Sequence, residues 1–216
     1  KVPKPLIKIN GLTLIEHTIK TLNLKGRYIF VTRDFGNEDH NSQLSDLLKE
    51  ISPDCVEIRL NHTTKGSVET CMQALNYIDN DDELIVTNCD QRTEWESSDF
   101  LSFVHNENVD GCVVTYSSEN PKNSFCKVDS SGNVIEIVEK QPISNIALIG
   151  LHYWKEAKDF VNSARLMMQS GTRSKGEFYI GPTYNGFGGS AGYYEIEESE
   201  IHFIGTPDDL QAYLEK

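Results

Sequence analysis

The chain has 216 residues, which is enough for one sizeable hydrophobic core, and nothing in its composition requires a second domain. Its formal net charge of -13 at pH 7 argues against a nucleic-acid partner, because such a surface needs a basic patch. No run of about 18 apolar residues and no signal peptide are visible, so a membrane partner is not expected either. The sequence predicts a single cytoplasmic domain over residues 1–216.

The five cysteines are scattered along the chain and fall mostly within apolar patterns. An odd number of cysteines without a Cys-x-x-Cys pair indicates free thiols in the core rather than disulfides or a metal cluster. This use of cysteine is typical of a protein from a reducing compartment.

The first third of the chain alternates between helix and strand signals. Prolines predict an extended loop over residues 2–10, and apolar residues at helical spacing predict a helix over 13–23. There follow a predicted strand, polar loop, helix and strand: residues 28–32, 34–41, 42–51 and 55–60. This order predicts right-handed βαβ crossovers and therefore a doubly wound α/β fold.

A polar loop over residues 61–70 leads into a predicted helix whose apolar positions run from Val68 to Ile78. The first N–H groups of a helix lack partners within the helix, so they can bind a phosphate or the edge of a base. An ordinary helix cap is the alternative explanation for the small and hydroxylated residues of this loop.

A short apolar run from Leu84 to Val86 is typical of a strand buried on both faces of a parallel sheet. Small polar residues and then Asp90 follow it. Because ligands bind beyond the carboxyl ends of strands in open α/β sheets, Asp90 is placed to hold a divalent cation against a phosphate. The alternative is that Asp90 caps the helix predicted around Phe100.

The second half of the chain adds a predicted hairpin over residues 125–140, which turns at Ser-Ser-Gly-Asn. Because a hairpin is antiparallel, the sheet should be mixed. The other predicted elements are strands over 111–116, 145–154, 193–196 and 201–204, a helix over 155–169, and a capped helix start at 205–210.

Several segments in a fixed order resemble the sugar-phosphate nucleotidyltransferases, also called NDP-sugar pyrophosphorylases. They are Lys4-Pro5-Leu6, Asn10-Gly11, Leu14-Ile15-Glu16-His17, Gly66 with Thr70, Asn88-Cys89-Asp90-Gln91, Glu139-Lys140, residues 145–153, Gly176-Glu177-Phe178 and Gly205-Thr206-Pro207. Each segment is short, but their order and spacing cover almost the whole chain. The resemblance implies a Rossmann-like, GT-A-like three-layer α/β/α fold with a mixed, mostly parallel central sheet.

Carried over residue by residue, the resemblance also implies a site. Lys4, Asp90 and Lys140 would be catalytic, the lysines as phosphate contacts and Asp90 as a Mg²⁺ ligand. The nucleotide would bind at Gly66, Glu69, Thr70 and Asn88, and the second substrate at Glu139, Asn145, Gly150 and Glu177. Fixed cations suit this chemistry because negative charge develops on the oxygens around the α-phosphorus.

A purely structural explanation exists for several of these residues. Lys140 would be a solvated charge at a hairpin end, Glu177 a cap and Lys4 a surface side chain. Taken singly, such explanations are sufficient, but they do not account for the common order of the segments.

The reaction implied by the resemblance is transfer of NMP from an NTP to a phosphorylated sugar or polyol, with release of pyrophosphate. It would supply nucleotide sugars for surface polysaccharides, and a homo-oligomer is compatible with it. One alternative is a regulatory module that binds nucleotide or sugar phosphate without chemistry. Another is a GT-A-like glycosyltransferase, although these usually carry Asp-x-Asp, whereas Gln91 and Arg92 follow Asp90.

Three features depart from the family pattern. A Gly-rich loop with an Arg is expected on a strand before Lys4. We expect it to precede Lys1 in the full protein, and the alternative is a degenerate protein that cannot catalyse. Phe203 and Ile204 stand where many relatives have an Asp, which leaves a second metal ligand unassigned. Glu69 stands where some relatives have Gln. Because a carboxylate accepts but cannot donate, it suits the amino group of cytosine and favours CTP.

Overall fold

The computed structural model describes residues 2–215 as an α/β protein. The helices are α1 (Leu14–Leu22), α2 (Glu38–Ile51), α3 (Ser67–Met72), α4 (Leu75–Ile78), α5 (Ser97–Asn106), α6 (Ala157–Ser170) and α7 (Pro207–Leu214). The strands are β1 (Lys8–Ile9), β2 (Leu12–Thr13), β3 (Ile29–Arg33), β4 (Val56–Leu60), β5 (Leu84–Thr87), β6 (Gln91–Thr93), β7 (Gly111–Ser117), β8 (Ser124–Val128), β9 (Val134–Glu139), β10 (Ile146–Trp154), β11 (Ala191–Glu195) and β12 (Ile201–Phe203). Short 3-10 turns cover Lys4–Leu6, Gly181–Gly186 and Glu198–Glu200. None of the helices in residues 2–215 is long and apolar enough to cross a bilayer.

The described residues divide into two compact units by their internal contacts. The first unit comprises the described residues of the ranges 1–63, 88–97 and 199–216. The second unit comprises residues 64–87 and 98–198. Each unit is described by itself below.

In the first unit, β3 and β4 form a parallel pair, as the strand-helix-strand order predicts. Helix α2 connects them in the chain, and its apolar residues Leu44 and Leu48 pack against Leu6 and Ile15. This cluster joins the N-terminal turn and α1 to the βαβ segment.

Helix α2 begins at Glu38, although residues 34–41 carry polar side chains that predicted a loop. The side chain of Asn37 caps the helix by accepting a hydrogen bond from the His40 N–H at 2.9 Å. Glu38 and Asp39 are then favourable in the first turn, where the helix dipole attracts negative charge. The predicted loop was therefore partly wrong, because polar residues are also what the start of a helix requires.

The first unit also contains an antiparallel pair between β6 and β12, in which Gln91 lies opposite Phe203. After β12, Ile204 is buried against Ile9 and Leu14. Helix α7 then starts with a capping box between Thr206 and Asp209, so the predicted capped start is confirmed.

The second unit is built on a six-stranded mixed sheet, counted over the described residues. The strand order is β11-β7-β10-β8-β9, with β5 also paired to β10. The predicted α/β class and mixed sheet are confirmed. Fewer pairs are parallel than the sequence predicted, because β10 has antiparallel partners in β5, β7 and β8, and the parallel pair in this sheet is β7–β11. In particular, β5 is half-buried and antiparallel rather than a buried parallel strand.

Strand β9 lies at one edge of this sheet, and within residues 2–215 no strand pairs with its outer side. The side-chain amide of Asn185 fills part of that edge. Its Oδ1 accepts from the Ile137 N–H at 2.7 Å, and its Nδ2 donates to the Ile137 carbonyl at 2.8 Å. One side chain therefore satisfies both backbone groups of a strand residue.

The predicted helix from Val68 to Ile78 is divided into α3 and α4. Between them, the N–H groups of Gln73 and Ala74 donate to carbonyls three residues earlier rather than four, and the Tyr77 N–H within α4 does the same. Bonds of that spacing tighten the backbone and interrupt the α-helix. The apolar pattern could not distinguish these two helices from one.

A buried aromatic group occupies the core of the second unit. The rings of His152 and Trp154 on β10 stack near Tyr184, and Phe160 of α6 packs against Trp154. Within residues 2–215, the His152 Nδ1 and Trp154 Nε1 atoms have no hydrogen-bond partner. Burial lowers the pKa of His152 to about 3.

The buried His152 makes stability depend on pH. Its pKa is near 6.5 when unfolded and about 3 when folded. The unfolded state therefore binds the extra proton as the pH falls below 6.5, and stability is lost progressively toward pH 3. Lowering the pH from 7 to 5 should therefore cost the wild type roughly 2 kcal/mol more unfolding free energy than it costs His152→Leu, which lacks the titrating ring. Urea unfolding of both proteins at several pH values measures this difference, and parallel pH profiles would contradict it.

Candidate active site

Lys4 and Asp90 form an ion pair in the first unit, with 2.5 Å between Nζ and Oδ2. Lys4 opens the 3-10 turn Lys4–Leu6, and the buried Leu6 anchors that turn in the core. The Lys4 and Asp90 side chains are 42% and 31% exposed, so the pair is open to solvent. Exposed pairs contribute only about 0–1 kcal/mol to stability, and both groups can therefore exchange partners with a ligand.

Asp90 is not a helix cap, because β6 follows it directly and α5 begins only at Ser97. The Ile204 N–H donates to the Asp90 carbonyl at 3.0 Å. A Cβ added to Gly205 would lie 2.6 Å from the Asp90 Oδ2 and 3.2 Å from the Lys4 Nζ. Glycine at position 205 therefore leaves the space that the ion pair occupies. Because a strand and not a helix follows Asp90, the helix-cap alternative is wrong.

The surroundings of Asp90 fit a metal that takes most of its ligands from a substrate. No group of three or more His, Cys, Asp or Glu side chains suited to a metal occurs within residues 2–215. The residue before Gly205 is the buried Ile204, which has no carboxylate to offer a metal. Mg²⁺ commonly binds through one or two carboxylates together with substrate phosphates and water, and Asp90 suits that arrangement.

In the second unit, backbone hydrogen bonds join the loop before α3 to the segment around Phe178. The Phe178 N–H donates to the Lys65 carbonyl at 2.8 Å, and the Val68 N–H donates to the Phe178 carbonyl at 3.0 Å. Gly66 lies between them with φ +124°, and its Cβ would stand 2.5 Å from both the N and the O of Phe178. Only glycine permits such a close approach in this conformation.

The side chains of Glu69 and Thr70 turn back onto this loop. Thr70 Oγ1 donates to the Gly66 carbonyl at 3.1 Å and lies 2.6 Å from Thr64 Oγ1. The Glu69 carboxylate accepts from the Lys65 N–H. These bonds fix the shape of the loop at the start of α3, and they engage one oxygen of Glu69.

Lys140 is the centre of a second group of charges in this unit. Its ammonium donates to the Tyr179 hydroxyl at 3.1 Å and lies 5.2 Å from the centre of that ring. The bond to Tyr179 raises the pKa of Lys140, and the nearby Glu139 and Glu177 carboxylates raise it further. Glu139 accepts from the Ser124 hydroxyl at 2.6 Å, and burial raises the pKa of its carboxyl.

Glu177 lies on an exposed tight turn. The backbone groups of Ser174 and Glu177 exchange two hydrogen bonds of 3.0 Å, with Lys175 at φ +50° and Gly176 at φ +88° between them. This turn leads directly into Phe178, so it connects the Gly66 loop with the surroundings of Lys140.

The remaining predicted residues are Asn145, Gly150 and Asn88. Asn145 is exposed, and its carbonyl accepts from the Ser118 N–H at 3.0 Å just before β10. Gly150 has φ +85° and lies where the register between β10 and β7 shifts. Asn88 is exposed two positions before Asp90. Among residues 2–215, no hydrogen bond links Asn145 or Gly150 to Lys140.

The structure thus brings Lys4 to Asp90 in one unit, and Lys140 to Glu139 and Glu177 in the other. The sequence did not single out Tyr179 or Ser124, which hold Lys140 and Glu139. Ser124 lies opposite Glu139 in the predicted hairpin, so strand pairing could have found it. Nothing in the local pattern around Tyr179 marks its contact with a residue so distant in the chain.

Comparison with known proteins gives a family and a set of folds. A family model described as nucleotidyl transferase matches residues 1–177. A comparison with curated protein sequences gives no match. The chain is similar to the solved structure of a nucleoside-diphosphate-sugar pyrophosphorylase from Vibrio cholerae RC9, with a TM-score of 0.84 and 23% identity over 99% of this chain and 92% of that one.

Two further solved structures share the fold. The inositol-1-phosphate CTP transferase from T. maritima aligns with a TM-score of 0.72 and 12% identity, over 99% of this chain and 84% of that one. A UDP-glucose pyrophosphorylase complexed with UDP-glucose aligns with a TM-score of 0.72 and 14% identity, over 100% and 92%. At these identities the likeness is one of fold.

The contact between Gly66 and Phe178 predicts a large effect of a single methyl group. We expect Gly66→Ala to lower the unfolding free energy by at least about 3 kcal/mol, because the new Cβ combines backbone strain with displacement of Phe178. Gly132→Ala is the matched control, since Gly132 also has a positive φ of +84° but nothing lies within 4 Å of its Cβ. That control should lose only about 1 kcal/mol. Equal losses in urea unfolding would show that the Phe178 contact carries no strain.

Proposed function

The chain belongs to the nucleotidyl transferase family, and from this premise we propose that it transfers NMP from an NTP to a phosphorylated sugar or polyol. The observation that carries the proposal is the solvent-open pair of Lys4 and Asp90, a cation and a carboxylate held together beside a core-anchored turn and Gly205. The role in supplying nucleotide sugars for surface polysaccharides, in the cytoplasm where NTPs occur, belongs to the same proposal.

In the proposed reaction, an oxygen of the acceptor phosphate attacks the α-phosphorus of the NTP. The bond from the α-phosphorus to the oxygen that bridges to the β-phosphorus breaks, and pyrophosphate leaves with that bonding pair. Mg²⁺ held by Asp90 would neutralise charge on the phosphate oxygens. Lys4 would give up its ion pair with Asp90 and contact a phosphate instead. Because the acceptor phosphate is already anionic, no side chain needs to remove a proton from it.

The acceptor would bind beside Lys140. A phosphorylated sugar carries a dianionic group and several hydroxyls, so it suits one ammonium flanked by carboxylates. Lys140 would contact the phosphate, whereas Glu139 and Glu177 would accept hydrogen bonds from hydroxyls. The proximity of these side chains supports this assignment, and Asn145 and Gly150 are proposed as further contacts.

The nucleotide would bind at the loop that contains Gly66, Glu69 and Thr70. Glu69 uses one oxygen for the Lys65 N–H, so its second oxygen would accept from the amino group of cytosine. CTP is therefore the proposed nucleotide.

A pyrophosphate-release screen of each NTP against sugar and polyol phosphates tests the function. Turnover with Mg²⁺ by one pair of substrates is the expected result. Calorimetric binding of a nucleotide without turnover of any pair would favour the regulatory module instead.

Asp90→Asn should lower the Mg²⁺-dependent rate by at least about a hundredfold, the scale of losing one electrostatic stabiliser of a transition state. The fold should be retained, because the exposed ion pair contributes little stability. Asp208→Asn, which changes an exposed carboxylate in the first turn of α7, is the control and should keep the wild-type rate. A near wild-type rate of Asp90→Asn at saturating Mg²⁺ would exclude Asp90 as the ligand.

Glu69→Gln should shift the preference from CTP toward UTP or dTTP, because an amide can donate to a carbonyl of the base. Calorimetric titration of CTP and UTP into both proteins gives the affinity ratio. An unchanged ratio would remove Glu69 from the base site and leave it only its bond to Lys65.

A further inference from the structure

The backbone at Lys140 is unusual for a lysine. Strand β9 ends at Glu139, and Lys140 then takes a left-handed conformation with φ +56°. Its N–H donates to the Asn123 carbonyl at 2.9 Å. A left-handed non-glycine residue costs about 1–2 kcal/mol, so surrounding contacts must hold it there. This conformation fixes the direction in which the side chain leaves the sheet.

The ammonium of Lys140 has a neutral partner although two carboxylates are near it. Its hydrogen bond goes to the Tyr179 hydroxyl at 3.1 Å. Glu139 is engaged by Ser124 at 2.6 Å, and Glu177 lies on the exposed turn. A carboxylate partner would oppose the binding of an anion at this ammonium, whereas a hydroxyl orients the ammonium without adding a negative charge.

The main chain around Tyr179 is anchored by its neighbours. Its neighbours Phe178 and Ile180 are buried, with 3% and 7% exposure. The backbone of Phe178 makes the two hydrogen bonds to Lys65 and Val68. The main chain of Tyr179 is therefore held on both sides, which restricts where its hydroxyl can meet the Lys140 ammonium.

We propose that Tyr179 is a positioning residue for the acceptor phosphate, which holds the Lys140 ammonium in place without neutralising it. The proposal rests on the proposed function for the identity of the anion as a sugar or polyol phosphate.

Tyr179→Phe tests the proposal, since it removes the hydroxyl and keeps the ring. We expect the KM for the sugar phosphate to rise about 3- to 10-fold, which is the effect of one hydrogen bond, with kcat and the KM for the NTP within about twofold of wild type. In a Lys140→Ala background, the same change should have no further effect, because the tyrosine acts through the lysine. Tyr193→Phe on β11 is the control and should leave both KM values unchanged.

The proposal is overturned if Tyr179→Phe raises the acceptor KM equally with and without Lys140, or raises the KM for the NTP as much. It is also overturned if Lys140→Ala leaves the acceptor KM unchanged while turnover persists.

If no substrate pair is turned over, the proposed function fails. Titration of inorganic phosphate into the same proteins then tests the role of Tyr179 by phosphate affinity. Weaker phosphate binding by Tyr179→Phe only when Lys140 is present supports the proposal, whereas equal binding, or none to wild type, overturns it. Unfolding temperatures within a few degrees of wild type show that the variants are folded.

Discussion

The close approach of Gly66 to Phe178 is the constraint on which much of the second unit depends. Two backbone hydrogen bonds hold these segments together, and a side chain at Gly66 would collide with the Phe178 backbone. One segment carries Glu69 and Thr70, and the other carries Glu177 and Tyr179. Because peptide groups make the contact, it fixes the main chain of both segments. The starting positions of the side chains on these segments are fixed with it.

A net charge of -13 would repel a polyanionic ligand, so binding of such a ligand would depend on where individual cations lie. The two cations of the proposed site, Lys4 and Lys140, have different surroundings. Lys4 pairs with Asp90 at a solvent-open site where the partner can be exchanged. Lys140 donates its hydrogen bond to a neutral hydroxyl rather than to the nearby Glu139 or Glu177 carboxylate. In the proposed function, both arrangements would leave a cation available to a phosphate.

Local patterns predicted the elements well and their partners poorly. The βαβ segment, the hairpin and the Thr206 cap follow from spacing and turn chemistry near each residue. The antiparallel pairing of β5 with β10 and the contact of Lys140 with Tyr179 join distant segments, and no local preference encodes them. The family resemblance supplied most of the candidate site, because motif order reports long-range geometry that spacing alone does not. It predicted residues such as Gly66. The physical requirement for glycine at that position is visible only in the structure, where the Phe178 backbone lies against it.

Asn185 has a consequence for how this protein behaves in a crowded solution. An edge strand offers unpaired peptide groups to any other chain, which is a common start of β-aggregation. On β9 the amide of Asn185 imitates a neighbouring peptide by pairing with both groups of Ile137. An incoming strand would have to break two hydrogen bonds before it could pair there. Pairing at this point of the edge, two residues from the exposed Ile135, is thereby disfavoured without the addition of any charge.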